Sequence, residues 1–115
     1  MSAKRSRVRR RSSVFWTERA LGDLETIGGF IAADNPRAAR RWIGVLMAAA
    51  ARAGRTPMAG RRVPELGRDD VREVLERTYR IVYRVTRERV EILTPFEGHR
   101  RFPQGVVSDA SLAKE

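Results

Sequence analysis

The spacing of the apolar residues changes once along this sequence, and the change divides the chain into a helical part and a strand part. From residue 20 to residue 53, apolar side chains recur every three or four positions, which is the repeat of an amphipathic helix. From residue 71 to residue 94 they alternate with polar side chains, the repeat of a strand with one buried face. With 115 residues the chain has room for one domain of ordinary size. The pattern therefore predicts a single α+β domain.

Two helices are predicted in the first part. One is expected to span about 15 residues after Thr17, whose hydroxyl suits an N-cap. The other is expected to begin at Asn35-Pro36, a cap followed by a residue favoured at the first helical position, and to end near Gly54. Because the connection is short, we expect an antiparallel hairpin. Gly28-Gly29 weakens the first helix and predicts either a closely packed neighbour or a bend.

Strands are predicted on both sides of the hairpin. We expect strands at 13–16, 71–77, 79–86 and 89–94, and an extended segment at 61–66. Pro64 indicates that the extended segment lies at a sheet edge. The order β-αα-βββ predicts a small, mainly antiparallel sheet with the helical hairpin packed on one face. Tyr79 and Tyr83 share a strand face with Ile81, so they are interpreted as core or core-edge residues.

The positive charge of the chain is concentrated at its start. The sequence holds 24 Lys and Arg against 14 Asp and Glu, a net charge of +10, and six of the cations lie in residues 1–13, which contain no acid. This segment is predicted to be a disordered basic tail that binds phosphates or serves as a solubilising arm. Residues 14–102 are predicted to form the folded domain, and residues 103–115 a C-terminal tail.

The composition excludes several kinds of site. Without cysteine the chain has no disulfide, thiolate metal site or Cys nucleophile, and with one histidine, His99, it has no multi-histidine metal site. No metal or cofactor is therefore expected. No apolar run approaches the length of a membrane span and no signal-peptide pattern is present, which predicts a cytoplasmic protein without a membrane partner.

Seven short segments, in this order and spacing, carry a resemblance to a known family. They are Asp23-Leu24 with Ile27, Asn35-Pro36-Arg37-Ala38-Ala39, 60–66, Arg72-Glu73-Val74, 79–85, 90–93 and Gly98-His99-Arg100-Arg101. Together they resemble the RelE/ParE superfamily of bacterial type II toxin–antitoxin toxins. The resemblance implies an α+β toxin that inhibits growth and is neutralised by an antitoxin from the same operon. Operator DNA is then expected to be contacted only through the antitoxin.

The two branches of the superfamily imply different targets. RelE-like toxins cut mRNA in the ribosome with an Arg on the third strand, another after the last strand, and a Tyr or similar group in the C-terminal segment. Arg80 matches the first position and Arg100 or Arg101 the second, but residues 102–115 contain no Tyr, His or Arg. The missing group favours a ParE-like toxin that poisons DNA gyrase and is not itself an enzyme.

The alternative is a ribosome-dependent mRNA endonuclease in which His99 works with Arg80 and with Arg100 or Arg101. Nearby cations are expected to lower the pKa of His99. The same histidine is also interpreted as a plain surface residue, and Arg80 as a structural partner of Glu73, Glu76 or Glu91 on flanking strands. A further alternative is a basic nucleic-acid-binding module.

Two interaction surfaces are predicted. The candidates for binding the target, gyrase or RNA, are arginines that the fold could bring together: Arg61, Arg62, Arg80, Arg84, Arg100 and Arg101. The candidates for binding the antitoxin lie on the two helices: Leu21, Leu24, Ile31, Trp42 and Leu46. The helix residues must also supply the core, and Trp42 and Met47 are interpreted as core residues in the first instance.

Overall fold

Two helices pack against one face of a five-stranded sheet in this computed structural model, which describes residues 14–107. The elements are, in chain order, β1 (Val14–Trp16), α1 (Glu18–Ala32), α2 (Pro36–Arg55), β2 (Arg61–Arg62), β3 (Val71–Glu76), β4 (Tyr79–Val85) and β5 (Val90–Glu97). The predicted α+β class and the helical hairpin on a small, mainly antiparallel sheet are confirmed. The described residues contain no helix that is both long and apolar enough to cross a membrane.

The predicted helix caps are present. The Thr17 hydroxyl accepts a hydrogen bond from the Ala20 N–H at 3.1 Å and donates one to the Ile92 carbonyl at 2.8 Å. It therefore caps α1 and also ties the start of that helix to β5. The Asn35 side chain accepts from the Ala38 N–H at 3.0 Å, and Pro36 is the first residue of α2.

The strands lie in the order β1-β5-β4-β3-β2, and only β1 runs parallel to its neighbour. The extended segment predicted at 61–66 is shorter than expected, because Leu66 and Gly67 turn back and donate hydrogen bonds to the Val63 carbonyl. β5 is longer than expected and passes through Pro95 to Glu97. Pro95 is tolerated close to an irregularity in the β4–β5 pairing, where the register shifts between Val82 and Tyr83.

The core under the hairpin depends on small residues at the contact between the helices. A methyl group added at Gly28 would lie 2.7 Å from Ile43 Cδ1, whereas one added at Gly29 would meet nothing within 4 Å. Close packing, the first of the two predicted explanations, therefore accounts for Gly28. Below the hairpin lie fully buried Tyr83 and Ile92, and the Tyr83 hydroxyl donates to the Pro57 carbonyl at 2.6 Å.

A second core lies on the opposite face of the sheet, since Val82 alternates with the helix-facing Ile81 and Tyr83. It is built from Val63, Val71, Val82, Leu93, Phe96 and Val106. Phe102 and Val107 are partly buried against it. Val106 and Val107, in the segment that the sequence assigned to a C-terminal tail, thus contribute to the core. The predicted basic tail (residues 1–13) and residues 108–115 lie outside the described range.

Candidate functional site

A buried carboxylate organises the polar part of the second sheet face. The Glu73 side chain is 0% exposed, and it accepts hydrogen bonds from Arg61 Nε at 2.6 Å and from Arg80 Nε at 2.8 Å. Arg61 faces Glu73 because the two residues are paired across β2 and β3. The structure therefore brings Arg61 and Arg80 together, as the predicted target surface required, but around a carboxylate of the chain itself.

Arg80 is held on its other side by Glu65. Its two terminal nitrogens donate to the two Glu65 carboxylate oxygens at 2.9 and 2.6 Å, a bidentate pair. The guanidinium also lies over the rings of Phe96 and Phe102, at 5.0 and 5.6 Å from their centroids, and the side chain is 12% exposed. The hydrogen bonds to Glu65 and then to Glu73 raise the pKa of Arg80, and Arg80 lowers the pKa of Glu65.

The structural interpretation of Arg80 is confirmed in part. Of its predicted partners, Glu73 binds it, whereas Glu76 binds Arg52 at 3.0 Å and Glu91 binds Arg89 at 3.1 Å. Glu65 was not foreseen as a partner.

Arg84 is also turned inward. Its side chain is 4% exposed, and its Nε lies 3.7 Å from Asp70, a carboxylate that Arg68 contacts with two nitrogens at 3.1 and 2.9 Å. A buried arginine cannot present its charge to an external partner without a rearrangement of this loop. Arg84 is therefore poorly placed for the target-binding role predicted for it, whereas Arg62, Arg100 and Arg101 lie at the surface.

His99 lies in the loop after β5 and pairs with Glu97. The ring Nδ1 is 2.8 Å from one Glu97 oxygen, the His99 N–H donates to the other at 2.9 Å, and the imidazole is 80% exposed. The hydrogen bond to Glu97 and the negative charge of that residue raise the pKa of His99. The prediction of a lowered pKa is wrong, because the closest charge is this carboxylate and not an arginine. Within residues 14–107 no hydrogen bond links His99 to Arg80.

The five predicted antitoxin contacts divide between the core and the surface. Leu24 and Leu46 are buried in the core under the hairpin, so a partner docked on this conformation does not reach them. Leu21 is 47% exposed, and Ile31 and Trp42 are half-buried. Trp42 packs on Tyr79, with 5.5 Å between the ring centroids.

Two apolar residues of the hairpin are exposed that the sequence interpretation did not select. Phe30 is 79% exposed, and Met47, interpreted as core, is 45% exposed. The sequence does indicate that Phe30 is exposed, because its position on the helix falls outside the apolar stripe that contains Leu24 and Ile31.

Phe30 borders a cavity of about 300 Å³ between α1, the end of β5 and the segment after it. Ile27, Tyr79 and Pro95 contribute apolar surface, and Glu97 and Arg100 contribute charge. The cavity can accept an apolar side chain with a polar neighbour. Because its lining comes from distant parts of the sequence, no local motif reveals it. Among residues 14–107 there is no cluster of three or more His, Cys, Asp or Glu that could hold a metal ion.

Comparison with known proteins identifies the family. The family described as "ParE toxin of type II toxin-antitoxin system, parDE" matches residues 14–101. The chain belongs to the ParE toxin family. The curated protein named "Putative toxin Y4kP", from Sinorhizobium fredii (strain NBRC 101917 / NGR234), is 37% identical over 97 residues, which cover 82% of this chain and 96% of that protein.

The fold of this ParE-family chain is shared with a solved structure titled "Chromosomal ParDE TA system from P. aeruginosa". The TM-score is 0.63 at 22% identity, and the likeness covers 76% of this chain and 97% of the other. At that identity the comparison concerns the fold alone. The family match confirms the ParE-like branch predicted from the sequence, and the chain is accordingly a toxin of the type II toxin–antitoxin class.

Proposed function

We propose that this ParE-family toxin inhibits growth by poisoning DNA gyrase, and that a cognate antitoxin bound to the helical hairpin neutralises it. The observation that carries the choice of target is the state of Arg80. RNA cleavage needs a cation that can meet the negative charge of the phosphorane. The Arg80 nitrogens are instead engaged by Glu65 and Glu73, so a substrate phosphate would have to displace a bidentate carboxylate.

The rest of the chain offers little for acid–base chemistry at Arg80. Residues 102–115 contain no Tyr, His or Arg. The one histidine, His99, is highly exposed and paired with Glu97. These features support an inhibitor that acts by binding, and they disfavour the alternative of a ribosome-dependent endonuclease.

Purified gyrase and a supercoiled plasmid test the proposed target. With the toxin present, we expect linear plasmid to be released after detergent and protease treatment, because a poison traps the enzyme on cleaved DNA. Absence of both linear DNA and inhibition at micromolar toxin would contradict the proposal.

Surface arginines are the proposed gyrase contacts. Arg62 and Arg101 are exposed, and replacing each with Ala is expected to weaken the inhibition of gyrase while leaving the fold unchanged. Arg87→Ala is the matched control, since it removes one exposed charge outside the proposed set. Equal inhibition by all these variants would remove Arg62 and Arg101 from the target surface without touching the gyrase assignment.

Antitoxin binding is proposed for the exposed apolar residues of the hairpin, Leu21, Phe30 and Met47, together with the cavity beside Phe30. An amphipathic segment of the antitoxin would cover this apolar area by docking in a groove. The test is co-expression with the neighbouring open reading frame, followed by co-purification.

The variants Leu21→Asp and Phe30→Asp are expected to reduce co-purification and restore toxicity. Leu75→Asp serves as the control, because Leu75 is a similarly exposed apolar residue on the sheet and not on the hairpin. If no protein co-purifies with the parent chain, the antitoxin assignment fails. If Leu75→Asp alone disrupts binding, the antitoxin lies on the sheet instead.

A further inference from the structure

The outer face of α2 carries positive charge alone. The helix holds five arginines and no acidic residue: Arg37, Arg40, Arg41, Arg52 and Arg55. All five are exposed. Arg52 pairs with Glu76 at 3.0 Å, and within residues 14–107 no carboxylate lies at ion-pair distance from the other four. This surface is separate from the arginines around Glu73.

Four of these arginines form one ridge. At 3.6 residues per turn, Arg37, Arg41, Arg52 and Arg55 fall within an arc of about 60° around the helix axis. Gly44 and Ala48 lie between them on the same exposed side. A methyl group added at Gly44 would meet nothing within 4 Å. The ridge therefore has arginines at both ends and small residues between them.

The charges at the N-terminal end of the ridge do not help α2 to fold, whereas Arg52 and Arg55 suit the negative end of the helix dipole. Arg37 and Arg41 are four residues apart, so their charges face each other and repel. Arg37 also lies in the first turn, where the positive end of the helix dipole disfavours a cation. The arginines at this end gain no ion pair in the described chain in return. Such an arrangement indicates an anionic partner that the isolated chain lacks.

We propose that this face of α2, the arginine ridge, binds the phosphate backbone of duplex DNA. Arg41 and Arg52 are separated by a rise of about 16 Å along the helix. The major groove of B-DNA is about 12 Å wide, so the two ends of the ridge can meet phosphates on opposite sides of the groove. Gly44 has no side chain and Ala48 has only a methyl group, so the helix backbone can approach the groove.

The chemistry of the ridge favours DNA over an acidic protein. A protein partner gains much of its binding energy from apolar and aromatic side chains at the centre of the interface. The centre of this ridge offers Gly44 and Ala48, which supply little apolar area. Neither residue has a polar side-chain group that could form a hydrogen bond with a base edge, so the contact is independent of base sequence. Recognition of an operator sequence is still left to the antitoxin, but the ridge would add direct phosphate contacts, in contrast to the expectation that DNA is contacted only through the antitoxin.

The test measures how the affinity of the full chain for a short, fluorescently labelled mixed-sequence duplex depends on salt, with gyrase absent. The double variant Arg41→Ala/Arg55→Ala removes one cation from each end of the ridge. Affinity falls as salt rises, and each lost phosphate contact reduces the magnitude of this negative slope of log K against log salt by about 0.9. The double variant should therefore reduce the magnitude by about 1.8. Because Ala favours a helix, circular dichroism should show an unchanged fold. A second duplex of different sequence should give the same result.

Arg87→Ala/Arg89→Ala is the matched control, since it removes the same charge from exposed positions outside α2. Its slope should stay close to that of the parent chain. The proposal is overturned if the α2 variant keeps the parent slope, or if the control loses as much as the α2 variant. It is also overturned if the α2 variant binds DNA normally but no longer captures the antitoxin. Since gyrase is absent, none of these failures touches the proposed gyrase target.

Discussion

Arg80 shows how the neighbours of an arginine decide what it can do. Its position on β4 suits phosphate chemistry, because a guanidinium keeps its charge and matches phosphate oxygens. In this chain the same geometry is satisfied by Glu65, and the buried Glu73 engages the remaining Nε. Two aromatic rings close over the group. The arginine therefore joins β3, β4 and the loop before β3 into one unit.

Removal of Arg80 should destabilise the fold strongly. In Arg80→Ala the buried Glu73 carboxylate loses a direct partner, and breaking a buried pair in this way costs about 3 kcal/mol or more of unfolding free energy. Arg61→Ala removes the other, half-exposed partner and should cost about 1 kcal/mol or less. Urea denaturation of the two variants checks the difference. A loss below about 1 kcal/mol for Arg80→Ala would show that the pair with Glu73 is not structural.

His99 should titrate above the ordinary histidine pKa of about 6.5. In Glu97→Gln the pKa should fall toward that value, because the hydrogen-bonded carboxylate is gone. The chain contains one histidine, so its ring signal in a proton NMR titration is unambiguous. Glu25→Gln removes an exposed carboxylate elsewhere and should leave the pKa unchanged. An unchanged pKa in Glu97→Gln would mean that the pair does not persist in solution.

The pKa shifts of His99 and Glu97 decide how the free energy of unfolding depends on pH. The raised pKa of His99 means that its contribution to stability is complete below about pH 6.5 and is lost as the pH rises through the folded pKa. The lowered pKa of Glu97 gives a contribution that is present above about pH 4.3 and is lost as the pH falls through its folded pKa. The pair therefore supports the fold most between these limits. The effect on stability is small because His99 is exposed and Glu97 is only partly buried, so that solvent screens the pair.

At the scale of the elements, the hairpin is held together by small residues. Gly28 lets Ile43 of α2 approach α1. On the inner side of α2, Ala49, Ala50 and Ala53 are buried in the core between the hairpin and the sheet. A helix with so many small buried residues lies close to the sheet, and its arginines are left on the outer side. The same sequence that allows close packing therefore also produces the arginine ridge.

The two neighbouring glycines of α1 should respond to alanine with opposite signs. Gly28→Ala places a methyl group 2.7 Å from Ile43 Cδ1, so the end of that side chain must shift, and the variant should be destabilised by about 1 kcal/mol or less because the helix preference of alanine offsets part of the overpacking. Gly29→Ala meets nothing within 4 Å and should stabilise it by about 0.5–1 kcal/mol, because alanine favours the helix. Thermal unfolding of both variants is the measurement. A stabilising Gly28→Ala would show that the Ile43 side chain moves aside without loss.

Charge reversal at the two ends of α2 provides a second test of opposite signs. Arg37→Glu places an anion at the positive end of the helix dipole and removes the repulsion with Arg41, so it should stabilise the protein by about 0.3–1 kcal/mol. Arg55→Glu places an anion in the last turn and should destabilise it by a similar amount. Denaturant unfolding at low salt checks both values. If Arg37→Glu were destabilising, the N-terminal end of the ridge would be structural and its proposed binding role would lose support.

At the scale of the whole molecule, the sequence predicted the parts whose information is local. The repeat of apolar residues located α1, α2 and β4, and the caps Thr17 and Asn35 marked where the helices begin. The change of repeat near residue 60 predicted the α+β class. These features depend on residues a few positions apart, which is the range over which helix and strand repeats operate.

The parts that escaped prediction depend on contacts between distant residues. Glu65 binds Arg80 from 15 positions away, and the cavity beside Phe30 is lined from both halves of the chain. The second core needs Val106, which lies in a segment of small and polar residues without a clear repeat. Only the assembled sheet shows that this segment has an apolar face to cover. Burial of Leu24 and Leu46, as against exposure of Leu21, likewise follows from how the helices pack.

We propose that the toxin stops growth through gyrase and not through mRNA. Induction of the toxin in a sensitive host distinguishes the two targets when the DNA-damage response and the rate of protein synthesis are recorded in the same culture. We expect the DNA-damage response to rise first, with mRNA intact and protein synthesis falling only later. An immediate loss of protein synthesis with cleaved mRNA and no DNA-damage response would contradict the claim.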